Sequence, residues 1–502
     1  MLVVIVGGGL VGTRLAQHLT QDKHDVSLLE ANAERARHIS NRLDCLVIHD
    51  EGNSMRALEE AGIKKADALV CVTDSDEMNM IVCGIAQCKY PDLLKIARVR
   101  NEDYVRLNSY SKDEKTQSFV FQTPQIFGID YFVHPDVEAA KSTVAAIEHG
   151  AIGDVLSFAG TEYQLGTATV TRGCPLDGIP LKDYRNIVSG ESLVTMLERD
   201  GISILPGGSV EIKSGDKIYF LAKEEKLRTI YKICGMQDNT LRRIGIVGGS
   251  GAGVLIAEAL SNTRGQNNTL LKQIVGNTKS FFTKFKGVVL KSNRRITIIE
   301  NDYNKCKKLT AQFPGVLVLN EDISDESFID EERLNDLDCI VTCTGKQELN
   351  IITALYLKTR GVCRAIAFVD GDAYAAIAKK LGIDVVIPVK SVVEDAILSR
   401  LCGRGLKGIH RIGDRTVDIL DIEINSSTPI AGKSITDFRI NKGGLVMLVN
   451  REAVGGENSD DQVYSNSFIP KGDYVFTNGD RIILIAKNGS EKEIENYFGV
   501  SL

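Results

Sequence analysis

The chain has 502 residues, 43% of them apolar and 25% charged, which is typical of a globular protein long enough for about three or four domains. A net charge of −6 excludes the broad basic surface that nucleic-acid binding requires. No apolar run approaches the ~20 residues that cross a bilayer, and the chain opens on a strand pattern instead of a signal peptide. We therefore expect a cytoplasmic protein whose 11 cysteines pack in its core, and we predict no metal site.

A glycine turn follows the first predicted strand. The run LVVIV is typical of a buried strand, and Gly7, Gly9 and Gly12 form G-x-G-x-x-G before an amphipathic helix. In this motif the glycines permit a tight turn, close approach of a pyrophosphate and close helix packing, and N–H groups from about Leu10 to Thr13 face the phosphates. The predicted phosphate site comprises Gly7, Gly8, Gly9, Leu10, Val11 and Gly12.

Further candidate residues follow the next predicted strands, where open α/β sheets bind ligands. Glu30 ends the second strand, where an acid holds a ribose diol and repels a 2′-phosphate. NAD(H), ATP or ADP therefore fits better than NADP. The other candidates are Asp50, Thr73, Asp74 and Arg98, and for Asp50 and Arg98 a solvated loop residue is the main alternative.

The rest of the chain predicts a smaller domain and then a repeat of the whole pattern. The run GISILPGGSVEIKSGDKIYFLA is typical of short antiparallel strands, and FIPKGDYVFTNGDRIILIAK repeats it near the C-terminus. The predicted fold class is α/β, with two Rossmann-like parallel-sheet domains, each followed by a small α+β domain. We place the parallel-sheet domains at 1–140 and 241–390, and the small domains at 141–238 and 391–502.

The second copy of the glycine turn is altered. It consists of Gly248, Gly249, Ser250, Gly251, Ala252 and Gly253, and Glu300 and Thr344 correspond to Glu30 and Thr73. Ser250 replaces Gly9, where its Cβ would crowd a pyrophosphate, and Phe368 replaces Arg98. We therefore expect weaker or different nucleotide binding there.

The second copy also carries two insertions, at about 262–291 and near 453–466. The first insertion is basic and bears phenylalanines. It is either a peripheral contact with a membrane or a partner, or a plain surface loop.

Catalysis has little support in the sequence. A dehydrogenase needs an acid or base beside the nicotinamide, and His134 is more typical of local structure than of that role. We predict no catalytic residue. An NAD-dependent oxidoreductase remains the competing function class.

Five segments carry a resemblance to a known family: IVGGGLVGTRLA, LEEAGIKKADALVCVTDSDEMN, KIARVRNEDYV, HPDVEAA and RDGISILPGGSVEIKSGDKIYFLA. The chain resembles the Trk-system potassium uptake regulators over nearly its whole length. Members of this family have two tandem RCK units (regulators of potassium conductance), each with a TrkA-N and a TrkA-C domain. Ser250, Phe368 and the two insertions depart from the family pattern.

The resemblance implies a non-enzymatic, NAD-binding subunit on the cytoplasmic face of the inner membrane. It implies a homotetramer, with a ring of eight RCK units beneath a TrkH- or TrkG-type potassium channel subunit. The positions that match the family's NAD contacts are Gly7 to Val11, Glu30, Thr73, Asp74 and Arg98, with Gly248 to Ala252, Glu300 and Thr344 in the second copy. An RCK-type regulator of a different ion transporter is the alternative within this class.

Overall fold

A computed structural model of the chain describes residues 1–21, 24–101, 104, 126–148, 155–158, 161–188, 191–205, 207–236, 241–249, 251–261, 294–401, 406–412, 416–438, 443–451 and 466–499. We call residues 1–238 the first copy and residues 241–502 the second copy. The two insertions at about 262–291 and near 453–466 lie almost wholly outside the described residues.

The first copy begins with a six-stranded parallel sheet in the order β3-β2-β1-β4-β5-β6. Its elements are β1 (Leu2–Val6), α1 (Leu10–Gln21), β2 (Asp25–Glu30), α2 (Ala33–Ser40), β3 (Leu46–His49), α3 (Met55–Glu60), β4 (Ala68–Cys71), α4 (Asp76–Lys89), β5 (Leu94–Arg98), β6 (Tyr131–Val133) and α5 (Pro135–Glu148). The strand order reverses between β1 and β4, and ligands bind at such a point in open α/β sheets.

A five-stranded sheet in the order β10-β9-β11-β8-β7 completes the first copy. Its described strand pairs are antiparallel. Its elements are β7 (Val155–Ser157), β8 (Tyr163–Thr169), α6 (Tyr184–Ile187), β9 (Ser192–Arg199), β10 (Ile202–Ile204), β11 (Lys217–Lys223) and α7 (Glu224–Ile233).

The second copy repeats both sheets, in the orders β14-β13-β12-β15-β16-β17 and β18-β19-β22-β20-β21. The parallel region has β12 (Arg243–Val247), α8 (Ala252–Leu260), β13 (Arg295–Ile299), α9 (Tyr303–Gln312), β14 (Leu317–Leu319), α10 (Glu326–Glu331), β15 (Cys339–Thr342), α11 (Gln347–Thr359), β16 (Arg364–Val369), α12 (Asp372–Lys380), β17 (Val385–Pro388) and α13 (Val389–Leu401). The antiparallel region has β18 (Leu406–Ile412), β19 (Val417–Glu423), β20 (Gly444–Arg451), β21 (Asn466–Phe468), β22 (Asp480–Lys487) and α14 (Glu491–Phe498).

The apolar strands explain why each parallel sheet lies between two layers of helices. Both β1 and β12 are almost wholly buried, as expected for central strands with helices on both faces of the sheet. The cysteines at 71, 83 and 339 are buried and Cys343 is half-buried, but Cys88 and Cys363 are exposed, so the expectation of core cysteines is wrong for these two. The predicted fold class is confirmed, whereas the predicted ranges of the four domains stay a prediction.

Each copy contributes a helix that packs against the other copy. Helix α5 of the first copy packs against α8 of the second copy, and α13 of the second copy packs against α1 of the first. The two antiparallel sheets also share one apolar core, in which Tyr163 and Met196 meet Ile419 and Ile483. Among the described residues, no helix combines the length and apolar character needed to span a bilayer.

Candidate functional site

The first glycine turn, Gly7 to Gly12, joins β1 to α1 at the point where the strand order reverses. Gly7 has a φ of +109°, and a Cβ there would stand 2.8 Å from the backbone nitrogen of Thr73. A Cβ on Gly12 would stand 1.9 Å from the carbonyl oxygen of Gly7. A Cβ on Gly9 would meet nothing within 4 Å. The first and last glycines are therefore required by the fold, and Gly9 faces open space.

The free donors at the N-terminus of α1 begin one residue earlier than the sequence predicted. Thr13 donates its N–H to the carbonyl oxygen of Gly9 at 2.9 Å, which closes the first turn of the helix. The N–H groups without an intrahelical partner are therefore those of Gly9, Leu10, Val11 and Gly12. Leu10 is 63% exposed, so this end of the helix is open to solvent.

Glu30 is buried and is tied to the glycine turn. Its Oε2 accepts the N–H of Gly8 at 2.7 Å, and its Oε1 accepts the N–H of Asn32 at 2.8 Å. A carboxylate has about four acceptor sites, so about two take no hydrogen bond from the described residues, and the Arg35 guanidinium lies 3.7 Å from Oε2. The number of these sites matches the two hydroxyl groups of a ribose diol.

A second group of polar residues follows β4 and β5, and Asn79 of α4 lies at its centre. The Oδ1 of Asn79 accepts the backbone N–H of Thr73 at 2.8 Å and its hydroxyl at 2.7 Å, while Nδ2 donates to the carbonyl oxygen of Arg98 at 2.8 Å. The guanidinium of Arg98 donates to the carbonyl of Thr73 at 2.8 Å and to Asp74 at 3.0 Å. The structure therefore brings Thr73, Asp74 and Arg98 together beside the first glycine turn.

Asp50 has local partners. It pairs with Arg56 of α3 at 2.7 Å and accepts the N–H of Glu51 at 2.7 Å. The described contacts join Asp50 to its own loop and do not join it to the glycine turn.

The second glycine turn, Gly248 to Gly253, has the same scaffold. Glu300 is buried, and its Oε2 accepts the N–H of Gly249 at 2.8 Å. The amide of Asn350 accepts the N–H of Thr344 at 2.9 Å and its hydroxyl at 2.6 Å. A Cβ on Gly253 would stand 2.0 Å from the carbonyl oxygen of Gly248, as in the first copy.

The groups that would face a ligand differ between the turns. Phe368, at the position of Arg98, is buried and packs in the core, so the second copy has no cation there. Ser250 lies outside the described residues, and the predicted crowding by its Cβ stays a prediction. Ala252 is buried at the start of α8.

Asn79 and Asn350 are not among the candidate residues predicted from the sequence. Each amide is wholly buried and holds the loop after the fourth strand of its sheet. A signal was present, because the two asparagines occupy matching positions in ADALVCVTDSDEMN and LDCIVTCTGKQELN. A polar residue that recurs at the same position in both copies indicates a shared structural bond.

Family models match both parts of each copy. The TrkA-N domain model matches residues 3–112 and 287–389, and the TrkA-C domain model matches residues 165–235 and 419–499. The chain is 24% identical to the Trk system potassium uptake protein TrkA of Azorhizobium caulinodans, covering 100% of this chain and 99% of that protein. It is 24% identical to the protein of the same name from Haemophilus influenzae, covering 99% of this chain and 98% of that protein.

Solved structures share the fold. The GsuK channel bound to NAD superposes with a TM-score of 0.52 at 14% identity, covering 99% of this chain and 78% of the channel chain. The GsuK RCK domain superposes with a TM-score of 0.51 at 14% identity, covering 99% of this chain and 94% of that chain. These likenesses show that the chain shares the fold of these two structures.

Proposed function

Because the chain belongs to the family of proteins with TrkA-N and TrkA-C domains in tandem, we propose that it is a nucleotide-binding regulatory subunit of a Trk-type potassium uptake system. Its relatives of near-equal length are named as potassium uptake proteins, and a structural neighbour is a channel bound to NAD. The subunit itself catalyses no reaction.

One observation carries the nucleotide part of this proposal. Gly9 faces open space, and the buried Glu30 beside it accepts only two hydrogen bonds from the part of the chain that the structure describes, so about two acceptor sites are available. A pyrophosphate approaches the backbone at Gly9, while the ribose diol donates to Glu30. Arg98 lies nearby and supplies positive charge. NAD(H), ATP and ADP all carry the diol and the phosphates.

Regulation follows from the shared contacts of the turn. A nucleotide at Gly9 and Glu30 touches groups positioned by β1, β2 and β4, and α1 on the same turn packs against α13 of the other copy. A ligand that binds one arrangement of these elements more tightly shifts the population towards it. In the proposed assembly this shift changes a ring of RCK units and biases the gate of a TrkH- or TrkG-type subunit.

Exposed apolar side chains support the proposed homotetramer. Ile81 of α4 and Ile352 of α11 occupy matching positions in the two copies and are 47% and 65% exposed. Tyr374, Ile377 and Leu381 form an exposed stripe at helical spacing along and just beyond α12. A ring of tandem units at the cytoplasmic face of the membrane would cover such surfaces.

The test is a titration of the purified chain with NAD⁺, NADH, ATP and ADP, compared with Gly9→Val. The new side chain enters open space, so we expect unchanged thermal stability and at least tenfold weaker binding. Gly315→Val is the matched control, since a Cβ there also meets nothing within 4 Å and lies away from the turn. Equal nucleotide affinity in Gly9→Val and the control would contradict the site.

The Trk assignment has its own test. The tagged chain should co-purify with the Trk membrane subunit, and nucleotide should change potassium flux through that complex but not through the complex with Gly9→Val. Association with a different transporter would instead support the alternative regulator.

A further inference from the structure

A carboxylate from the first copy lies against the second glycine turn. Asp136 is the second residue of α5, and a Cβ on Gly251 would stand 2.4 Å from its Oδ2 and 2.9 Å from its Cγ. Gly251 has a φ of +51° and immediately precedes α8. With any larger residue at 251 the Asp136 side chain would have to move, and the positive φ independently favours a glycine there.

The position of Asp136 is one that favours an anion. The N-terminus of a helix carries a partial positive charge and unpaired N–H groups, and it attracts carboxylates and phosphates alike. In α8 the chain itself supplies the negative charge. A phosphate that approached the same helix end would meet this carboxylate.

The groups around the second turn act on this effect in both directions. Burial raises the pKa of Asp136 and so disfavours its charged form, while the nearby His134 opposes that rise. Burial raises the pKa of the Cys343 thiol to about 12, and the charges of Asp136 and Glu300 add to it. Two carboxylates therefore lie near this turn, while the apolar Phe368 stands where the first copy has an arginine.

Among the residues that the structure describes, no carboxylate of the other copy contacts the first glycine turn in this way. Strand pairing aligns Val133 with Arg98 and Ile387 with Phe368, so Asp136 corresponds to Lys390, the second residue of α13. Lys390 is a cation that pairs with Asp370 at 2.8 Å. Leu10, which corresponds to Gly251, is exposed.

We infer that Asp136 is the specificity-determining residue that keeps nucleoside di- and triphosphates off the second glycine turn. The chain then holds one phosphate-bearing nucleotide, at the first turn. Since α5 belongs to the first copy, the exclusion is a contact between the two copies. This inference rests on the proposed nucleotide-binding function.

The experiment isolates the second turn in the full chain. Gly9→Val is combined with Asp136→Asn, which keeps the shape of the side chain and removes its charge, and ATP and ADP binding is measured by calorimetry. The matched control is Gly9→Val with Glu138→Gln, because Glu138 lies on the same helix and pairs with Lys141 at 2.7 Å. Thermal melting checks that each variant folds, and Asp136→Ser replaces Asp136→Asn if the latter does not.

We expect Asp136→Asn to strengthen ATP binding at least tenfold over the control and to give inorganic pyrophosphate a stabilising effect on melting. Equal binding in the two double variants, while the wild-type chain binds one ATP, would overturn the role of Asp136 and leave the proposed function standing. Two ATP molecules of similar affinity on the wild-type chain would also overturn it. Failure of the wild-type chain and of every variant to bind any nucleotide would instead overturn the proposed function, and this inference with it.

Discussion

The first glycine turn is open where the second is covered, although both are built on the same bonds. Each has a buried glutamate that accepts a glycine N–H, and each has a buried asparagine that holds a threonine. What differs is the side that faces a ligand, where Leu10 is exposed but Gly251 touches Asp136. The repeat has therefore kept the interactions that fold the turn and changed those that would select a ligand.

The two helix contacts between the copies, α13 with α1 and α5 with α8, differ in a similar way. Glu394 of α13 is buried, where it contacts His18 and lies 3.3 Å from Arg14, both on α1. From the same strand pairing, the residue of α5 that corresponds to Glu394 is Ala140, which is also buried. One interface between the copies is ionic at this point and the other is apolar.

The largest expected effect comes from breaking the ionic interface. Glu394→Ala removes the buried carboxylate that contacts His18 and Arg14. Because Arg14 keeps its pair with Asp372, the free energy of unfolding should fall by about 3 kcal/mol, the low end for a broken buried pair. Thermal melting would show the loss.

A triple variant sharpens this comparison. Leu255 and Ala259 of α8 occupy the positions of Arg14 and His18. Arg14→Leu and His18→Ala added to Glu394→Ala therefore copy the apolar interface, and should recover at least half of the loss. A triple variant less stable than Glu394→Ala would show that the two interfaces are not interchangeable.

The shared scaffold predicts equal effects in the two copies. Asn79→Ala and Asn350→Ala each remove the hydrogen-bond partner of a threonine N–H and of a backbone carbonyl. Each should lower the free energy of unfolding by about 1–3 kcal/mol. Asn41→Ala, at the exposed C-terminus of α2, serves as the control and should change the melting temperature little. A loss confined to one asparagine would mean that only one turn depends on this bond.

The fold could be predicted from the sequence because local sequence patterns determine its strands, turns and helices. Runs such as LVVIV, the glycine turns and the repeat predicted two parallel sheets and two smaller β-rich regions, and these are present. The candidate residues Glu30, Thr73 and Arg98 follow strands that end at one edge of a parallel sheet, so their proximity could also be predicted.

Contacts between distant segments could not be predicted in this way. Asp136 and Gly251 are far apart in the chain, and they meet only because α5 packs against α8 of the other copy. The same holds for Glu394 and His18. Glu30 was expected to hold a ribose, but nothing local to its strand indicated that its carboxylate also accepts the N–H of Gly8.

The smallest expected difference concerns the antiparallel sheets, where each copy has a buried aspartate paired with an arginine. Asp216 accepts two bonds from Arg199, both at 2.7 Å, and one from the N–H of Lys213. Asp480 accepts one bond from Arg451 at 2.9 Å, and also bonds from the hydroxyl of Tyr474 and the N–H of Thr477. Removal of the arginine therefore leaves Asp216 with fewer partners than Asp480.

We expect Arg199→Gln to cost about 1–3 kcal/mol of stability near neutral pH, and Arg451→Gln to cost less. Burial alone would raise the pKa of Asp216, but the bonds from Arg199 and Lys213 hold that pKa below its ordinary value. A lowered pKa stabilises the folded chain above the unfolded value of about 4, and this contribution is lost as the pH falls through the folded value. Arg199→Gln lacks most of the contribution, so its melting temperature should approach that of the wild-type chain as the pH falls below about 4. The difference in melting temperature between Arg199→Gln and the wild-type chain could instead stay constant from pH 7 to pH 3, or Arg451→Gln could lose more stability than Arg199→Gln. Either result would show that the number of bonds to the aspartate does not set the difference between the copies.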